Sequence, residues 1–564
     1  MAALAPSRRD LLLYALLGLA LWPVPLLNVL HAESAAVVAL ASYFIAGTAA
    51  LRSLSAGARA GVVTARHLLA LLVPLAMLTV SRLWAPNCAY ATGLLFFALF
   101  PGITVPFAVA VAAALTHLVN GRRRQTALLI LAGGAIAIAG PIYDLGLHPQ
   151  FYTYNHVFGG VLGPIYDEQL ALRPGLFVFR GLTLAWTGVL FGAAAWGRGR
   201  LQSGAARAAV GACVVAIAGV YAYPSTAGIN TTEAHLQDRL GGHVRTPHFD
   251  LYYDPASMPE REVEALAADH EAELQRLAER LDVDPSVLGR VQSYLYPSPE
   301  RKAHLTGART TSVSPVWLAS PQVHLLRSRV DDSFSHELAH VFSRPYGLPL
   351  LRASWAVGLV EGWAVALEAP DSRPAPHDLV LAASADDDAG LQARAEGIAR
   401  RLSPWGFWTG RGAVSYATMG SFVGYLLDTY GPEPLTDVYA RADFRRVYGR
   451  SLDRLADDWA RALRQRSSVP GAAREIVSRE FTRPSLFETT CPHYVPPYRR
   501  DWQDARRARA EGDTTRARRL LAASIRQEPR FAAAQVDRAR LLLAQRRPGA
   551  AADSLAELCD AFAP

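Results

Sequence analysis

The sequence predicts a multi-domain chain: an N-terminal α-helical membrane bundle of about seven spans, an α+β domain, and a C-terminal all-α stretch of helical repeats. Three observations predict it. Hydrophobic residues make up 51% of 564 residues, too much for a wholly soluble chain of this length. Nearly all long apolar runs precede residue 225, and strand-like and helix-like periodicities follow. Beyond residue 500, helical pairs recur at a 34-residue offset. The boundaries expected are 1–224 for the membrane bundle, 245–466 for the α+β domain, 467–500 for a connector and 501–564 for the repeats.

Apolar runs at 10–30, 34–51, 67–84, 90–119, 126–145, 178–197 and 206–223 each approach or exceed the roughly 20 residues that cross hydrocarbon as a helix. Arginine placement orients them, because cytoplasmic loops collect positive charge. Arg8 and Arg9 precede the first run, Arg52, Arg59 and Arg66 follow the second, Arg122 to Arg124 follow the fourth, and Arg198, Arg200 and Arg207 follow the sixth. Every second loop is basic. An integral multi-pass protein of a bacterial inner membrane is therefore expected, with its N-terminus cytoplasmic and everything after Pro224 extracytoplasmic. The first run lacks a small-residue cleavage site at a signal-peptide distance, so it is read as a retained helix. Pro101 and Pro106 leave open a helix plus a re-entrant piece in the fourth. The loop from Tyr152 to Glu168, rich in aromatic and glycine residues, reads as an interfacial aromatic belt or as a docking site for the following domain.

The net charge of +8 comes from arginines scattered through short loops and the C-terminal helices, which argues against a nucleic-acid partner. The four cysteines contain no CxxC, which excludes a cysteine-built zinc site. Cys213 reads as packing, and Cys491 and Cys559 are candidates to pair.

From Pro247 to Arg466 the expected order is strand (248–253), helix (260–281), strand (292–296), strand (323–326), then the helix carrying His336-Glu337-Leu338-Ala339-His340. Histidines four apart project from one helix face and can hold one ion. Glu337 sits one residue round, placed for a general base acting on metal-bound water. Asp331, Asp332 and Ser333 are capping candidates. The next helix, with Leu359-Val-Glu361-Gly-Trp-Ala, offers a carboxylate 21 residues after His340. Two histidines, one glutamate and an exchangeable water form a recurrent catalytic zinc set, so Zn2+ is the expected cofactor. Glu368 is the alternative carboxylate on that helix but lacks the Glu-Gly context. His304 and His324 read as loop and strand residues, and Trp355 and Trp363 as core.

These residues, with Tyr416-Ala-Thr-Met-Gly420 further on, resemble the gluzincin superfamily, in particular the bacterial peptidase MA-like group related to zinc aminopeptidases. The resemblance covers about 220 residues and implies a zincin-type catalytic domain that hydrolyses peptide bonds. It implies His336, His340 and Glu361 as zinc ligands, Glu337 as base and proton shuttle, Tyr416 as oxyanion stabiliser, and 323–326 as the edge strand. Tyr416 stands four residues before Gly420, whereas the family pattern has three. The aminopeptidase signature Gly-x-Met-Glu-Asn is absent, as is an aspartate four residues after Glu361.

In the tail, Ala505 matches Ala539, Ala517 matches Ala551 and Leu521 matches Leu555, with Gly512 at a turn that Arg546 occupies in the second copy. This resembles tetratricopeptide repeats, which implies either packing on the catalytic domain or a groove for a protein partner. The expected function is a membrane-anchored zinc metallopeptidase acting on a peptide or protein substrate, with the lipid bilayer as its other partner. The second expectation is an inactive zincin-fold sensor or scaffold whose repeats bind a protein. The intact His336, Glu337, His340 and Glu361 favour the first.

Overall fold

The computed structural model describes residues 4–164, 170, 172–368, 374–384, 388–466, 469–485, 487–489, 491, 494–510 and 512–561. They are mostly helical, with a small mixed sheet. The chain divides into two compact units, 1–492 and 493–564.

The first apolar run forms α1 (Arg8–Leu21), capped by Ser7, whose hydroxyl accepts from the Asp10 N–H. At 14 residues it reaches only about 21 Å, short of the hydrocarbon thickness. Pro23 and Pro25 follow it, and proline cannot continue an interior helical ladder. Among the described residues six helices, not seven, are long and apolar enough to cross a bilayer. These are α2 (Ala32–Ser55), α3 (Ala60–Leu83), α4 (Tyr90–Leu118), α5 (Arg122–Leu147), α6 (Pro174–Gly197) and α7 (Gly204–Ala222). The non-helical stretch after α1 still follows the bundle: Trp22 Nε1 donates to Met77 O (3.2 Å) and Asn87 Nδ2 to Leu30 O (2.9 Å). The fourth run is one path, bent at Phe100 before Pro101 rather than split into a span and a re-entrant piece.

Between α5 and α6 the chain forms an antiparallel hairpin, β1 (Thr153–Asn155) and β2 (Gly159–Val161). Its Tyr152 and Tyr154 are buried with Phe96 and Phe100, and buried Arg180 donates to Leu99 O and Asn155 O (both 2.8 Å). Of the two readings for this loop, docking is the one observed. Phe151 N donates to Thr306 O (2.7 Å), Arg173 Nε donates to His304 O (2.9 Å), and the Arg173 guanidinium lies 3.6 Å above the Tyr152 ring. Asp167 and Glu168 lie outside the described residues.

The sheet has the order β3 (Gly242–Arg245), β4 (Phe249–Tyr253), β5 (Val291–Tyr296), β6 (Gln322–Leu326). β3 and β4 are antiparallel, and β4, β5 and β6 are parallel. The parallel pairs need crossovers. α8 (Glu260–Leu281) links β4 to β5, and α9 (Pro299–Thr306) lies between β5 and β6. Alternation along the strands sends Leu251, Val291, Leu295, Val323 and Leu325 to a core shared with α8 and the helices beyond β6. Tyr294, Tyr296 and Leu326 pack the opposite face against Leu236, Leu240 and Leu305. β3 had no expected counterpart, and His304 lies on α9 rather than in a loop.

Cys491 does not pair with Cys559. It is disulfide-bonded to Cys88, between α3 and α4, with the two Cα atoms 5.9 Å apart. The connector is thereby tied to the loop ahead of α4. Cys213 is free, and the side chain of Cys559 lies outside the described residues.

The second unit contains α13 (Pro497–Ala510), α14 (Thr514–Gln527), α15 (Ala532–Ala544) and α16 (Pro548–Ala561), where α10 to α12 belong to the metal centre below. Ala505, Ala517, Ala539 and Ala551 are all buried, as the 34-residue offset requires, but Leu555 is 41% exposed where Leu521 is buried. Gly512 and Arg546 both take positive φ, 82° and 56°. The turn geometry therefore recurs even where glycine does not.

Candidate metal centre

After β6 the chain turns into α10 (Val330–Ser343), which bears His336, Glu337 and His340. Arg329 occupies the N-cap without a side-chain cap bond, so the expected capping by Asp331, Asp332 or Ser333 does not occur. Asp331 and Asp332 instead lie in the first turn, where negative charge is favourable toward the helix dipole. Phe334, Leu338, Val341 and Phe342 bury the opposite stripe in the core. α11 (Val357–Leu367) returns antiparallel to deliver Glu361, and α12 (Gly412–Tyr430) packs across it. Gly362 makes that approach feasible, since a Cβ there would meet Met419 O at 2.8 Å. Trp363 Nε1 donates to Ala339 O (2.9 Å), which locks the two ligand-bearing helices together. Trp363 is core as expected, but Trp355 is 51% exposed and donates to Arg441 O.

His336 Nε2 and His340 Nε2 are 3.2 Å apart, and Glu361 Oε2 lies 3.6 Å from the first and 3.7 Å from the second. Donors about 2 Å from a tetrahedrally bound ion are separated by roughly 3.3 Å. The three side chains can therefore hold a single metal ion, and their donor atoms all lie within 4.8 Å of one another. Glu368 is not part of that triangle. Its Oε1 lies 2.7 Å from His336 Nδ1, so it fixes the imidazole from behind and leaves Nε2 turned toward the ion position.

Electrostatics follow from this crowding. Burial disfavours the charged form of His336, but the nearby carboxylates of Glu361 and Glu368 outweigh it and push its pKa up to about 10. Burial pulls His340 down to about 4. Burial also opposes ionisation of Glu361, yet the neighbouring His336 and His340 hold it below the usual carboxylate value. Glu337, buried beside the cluster, is raised by burial.

No family model, curated protein or solved structure matches this chain.

Tyr416, despite its shifted spacing, comes to the site from α12. It helps hold the Glu361 carboxyl in its ionised form, and its ring centroid is 6.4 Å from that of His336. A cavity of about 820 Å³ opens over these groups, lined among others by Thr310, Thr311, Ser312, Glu337, Glu368, His377 and Tyr416.

β6 does not border this cavity. All five of its residues are buried, and Val313 pairs with His324 on its outer side through bonds of 2.9 and 3.3 Å. The expected edge strand 323–326 is thus covered, and Thr310, Thr311 and Ser312 are what line the cleft. Ser314 Oγ donates to Glu337 O (2.8 Å), which ties that wall to the metal-site helix. Fully buried Lys302 donates its ammonium to Thr311 O from behind. His324 bonds the Tyr296 hydroxyl (2.9 Å) and stays a strand residue. Sequence spacing missed Glu368 as a partner of His336, and it missed Lys302 and Cys88. An acidic residue one turn or two beyond a proposed ligand is the signal that could have flagged Glu368.

Proposed function

We propose that this chain is a membrane-anchored zinc metallopeptidase of the gluzincin type, with its catalytic domain on the extracytoplasmic side of a bacterial inner membrane. The observation that carries the reading is the convergence of His336, His340 and Glu361 from two helices on one point, with Glu337 buried beside it. Zn2+ bound there would polarise a scissile carbonyl and lower the pKa of a bound water. Glu337 would accept a proton from the attacking water and pass it to the leaving amine as the carbon–nitrogen bond breaks, so that water is consumed and a carboxylate and an amine are formed. Tyr416 is the hydroxyl available to donate to the developing oxyanion. A peptide would lie along Thr310–Ser312, which line the cavity.

With six spans, the basic loops after α2, α4 and α6 support this orientation, and the even count argues for an N-terminus, with Arg8 and Arg9, on the same side as the catalytic domain instead of in the cytoplasm. The Cys88–Cys491 bond supports it too, since disulfides persist in oxidising compartments. In the second unit, recurrence of the α13–α14 hairpin as α15–α16 supports tetratricopeptide-like repeats able to present a surface to a protein partner.

The test uses the full-length protein, with metal content and hydrolysis of an unstructured protein measured together. Glu337→Gln should retain one zinc per chain and lose turnover by at least about a hundredfold. Hydrolysis at the parent rate in that variant would refute the assignment.

A further inference from the structure

Between α10 and α11 the chain makes a tight loop, Gly347–Ala353, that neither lines the cavity nor joins a core. Leu348 N donates to Ala353 O (2.9 Å) and Arg352 N to Leu348 O (2.7 Å), which closes the loop on itself. A Cβ on Gly347 would lie 2.2 Å from Ala353 N, so the crossing is closed to larger residues. Leu350 and Arg352 take left-handed backbone, φ 70° and 49°, which a non-glycine residue keeps only where its surroundings over-determine it. What this rigid loop presents is apolar: Leu350 is 91% exposed and Leu351 55%. Two adjacent leucines held outward by strained backbone are a poor fit to water.

Their position supplies the partner. Trp317 Nε1 donates to Leu145 O (2.6 Å), in the last turn of the apolar helix α5. The next residues, Leu318 and Ala319, accept from Arg352 Nη1 at 3.2 and 3.0 Å and from Arg344 Nη2 at 2.9 and 3.1 Å. An unbroken run of contacts therefore joins the loop to the end of a membrane helix whose own Ile138, Ile142 and Leu147 are more than 60% exposed. Two exposed leucines followed by an arginine, linked through Leu318 to a neighbouring tryptophan, have the composition of an interfacial lipid contact.

We propose that the loop Gly347–Ala353 is a bilayer anchor that inserts Leu350 and Leu351 into the lipid interface. Because it joins the helix of His336 and His340 to that of Glu361, it holds both ligand-bearing helices at the membrane surface. This inference rests on the reading of the six apolar helices as spans and is independent of catalysis.

The test is lipid quenching in proteoliposomes made from the full chain with Cys213 and Cys559 replaced by alanine. L350C and, separately, L131C at a lipid-facing position of α5 carry an environment-sensitive fluorophore, in phosphatidylcholine vesicles with or without a nitroxide on the acyl chain near the headgroup. A label at 350 should lose roughly half or more of its emission to the nitroxide and shift to the blue. Quenching at 131 without quenching at 350 would overturn the anchor. Absence of quenching at both would overturn the membrane-spanning reading and the anchor with it. Energy transfer between copies labelled at 350, with no lipid quenching, would assign the loop to a dimer interface instead and so refute it.

Discussion

The carboxylate of Glu368 ends 2.7 Å from His336 Nδ1, and that contact determines which imidazole nitrogen is free. Glu368→Ala should weaken zinc binding about ten- to a hundredfold while leaving the fold intact, as read by competition with a metal chelator. A variant with unchanged affinity would remove Glu368 from the site. The same geometry sets a pH dependence. In the metal-free protein His336 has its pKa raised to about 10, so the ring is protonated at neutral pH and must lose that proton to bind a metal. Zinc affinity should therefore fall about tenfold for each unit that pH drops below 10, with one proton released per ion bound. Titration calorimetry in buffers of different ionisation enthalpy measures that release directly. The His336–His340 pair was legible because histidines four apart share one helix face, whereas Glu361, on the next helix, was expected from the carboxylate 21 residues beyond His340 and the resemblance that it carries. Glu368 was read as a rival ligand, because spacing does not say which of two nitrogens a carboxylate reaches.

At the scale of elements, the metal centre depends on how closely α11 and α12 approach. Gly362→Ala would push a methyl group to 2.8 Å from both Met419 O and Val423 Cγ2. Such overpacking should cost about 1–3 kcal/mol and move Glu361 off the two histidines. A lowered melting temperature together with weakened zinc binding would show it, and unchanged values for both would contradict the close approach. The helix 260–281 and three of the four sheet strands were legible from periodicity, since each has one face on the core. The covering of β6 by Val313 was not. Residues 310–314 carry no alternation, and only the bridge to His324 turns them into an edge. The first membrane run was misjudged in length for a related reason, because hydropathy averages over Pro23 and Pro25 whereas a helix cannot.

For the whole molecule, the Cys88–Cys491 bond joins residues 403 apart in sequence. Cys88→Ser or Cys491→Ser should leave the metal centre occupied but make the stretch around residue 491 more susceptible to limited proteolysis, since the described residues between Phe481 and Pro496 lie in turns and irregular chain. Equal cleavage rates with and without reductant would count against that role. The hairpin β1–β2 is the second tie. Phe151, just ahead of it, donates to Thr306 O, and Arg173, at the start of α6, donates to His304 O, which joins the apolar helices to the sheet region within one compact unit.

By itself the sequence determined which residues could bind a metal, six of the apolar runs that form helices long enough to cross a bilayer, and three of the four strands of the mixed sheet. Each of these follows from local chemistry repeated at a helix or strand period. Tertiary structure alone decided that Glu368 steadies His336, that Thr310–Ser312 come to line the cleft beside Glu337, that Cys491 meets Cys88, and that Trp317 bonds the last turn of α5. All four are contacts between segments remote in sequence, and no period within one segment encodes the distance to another.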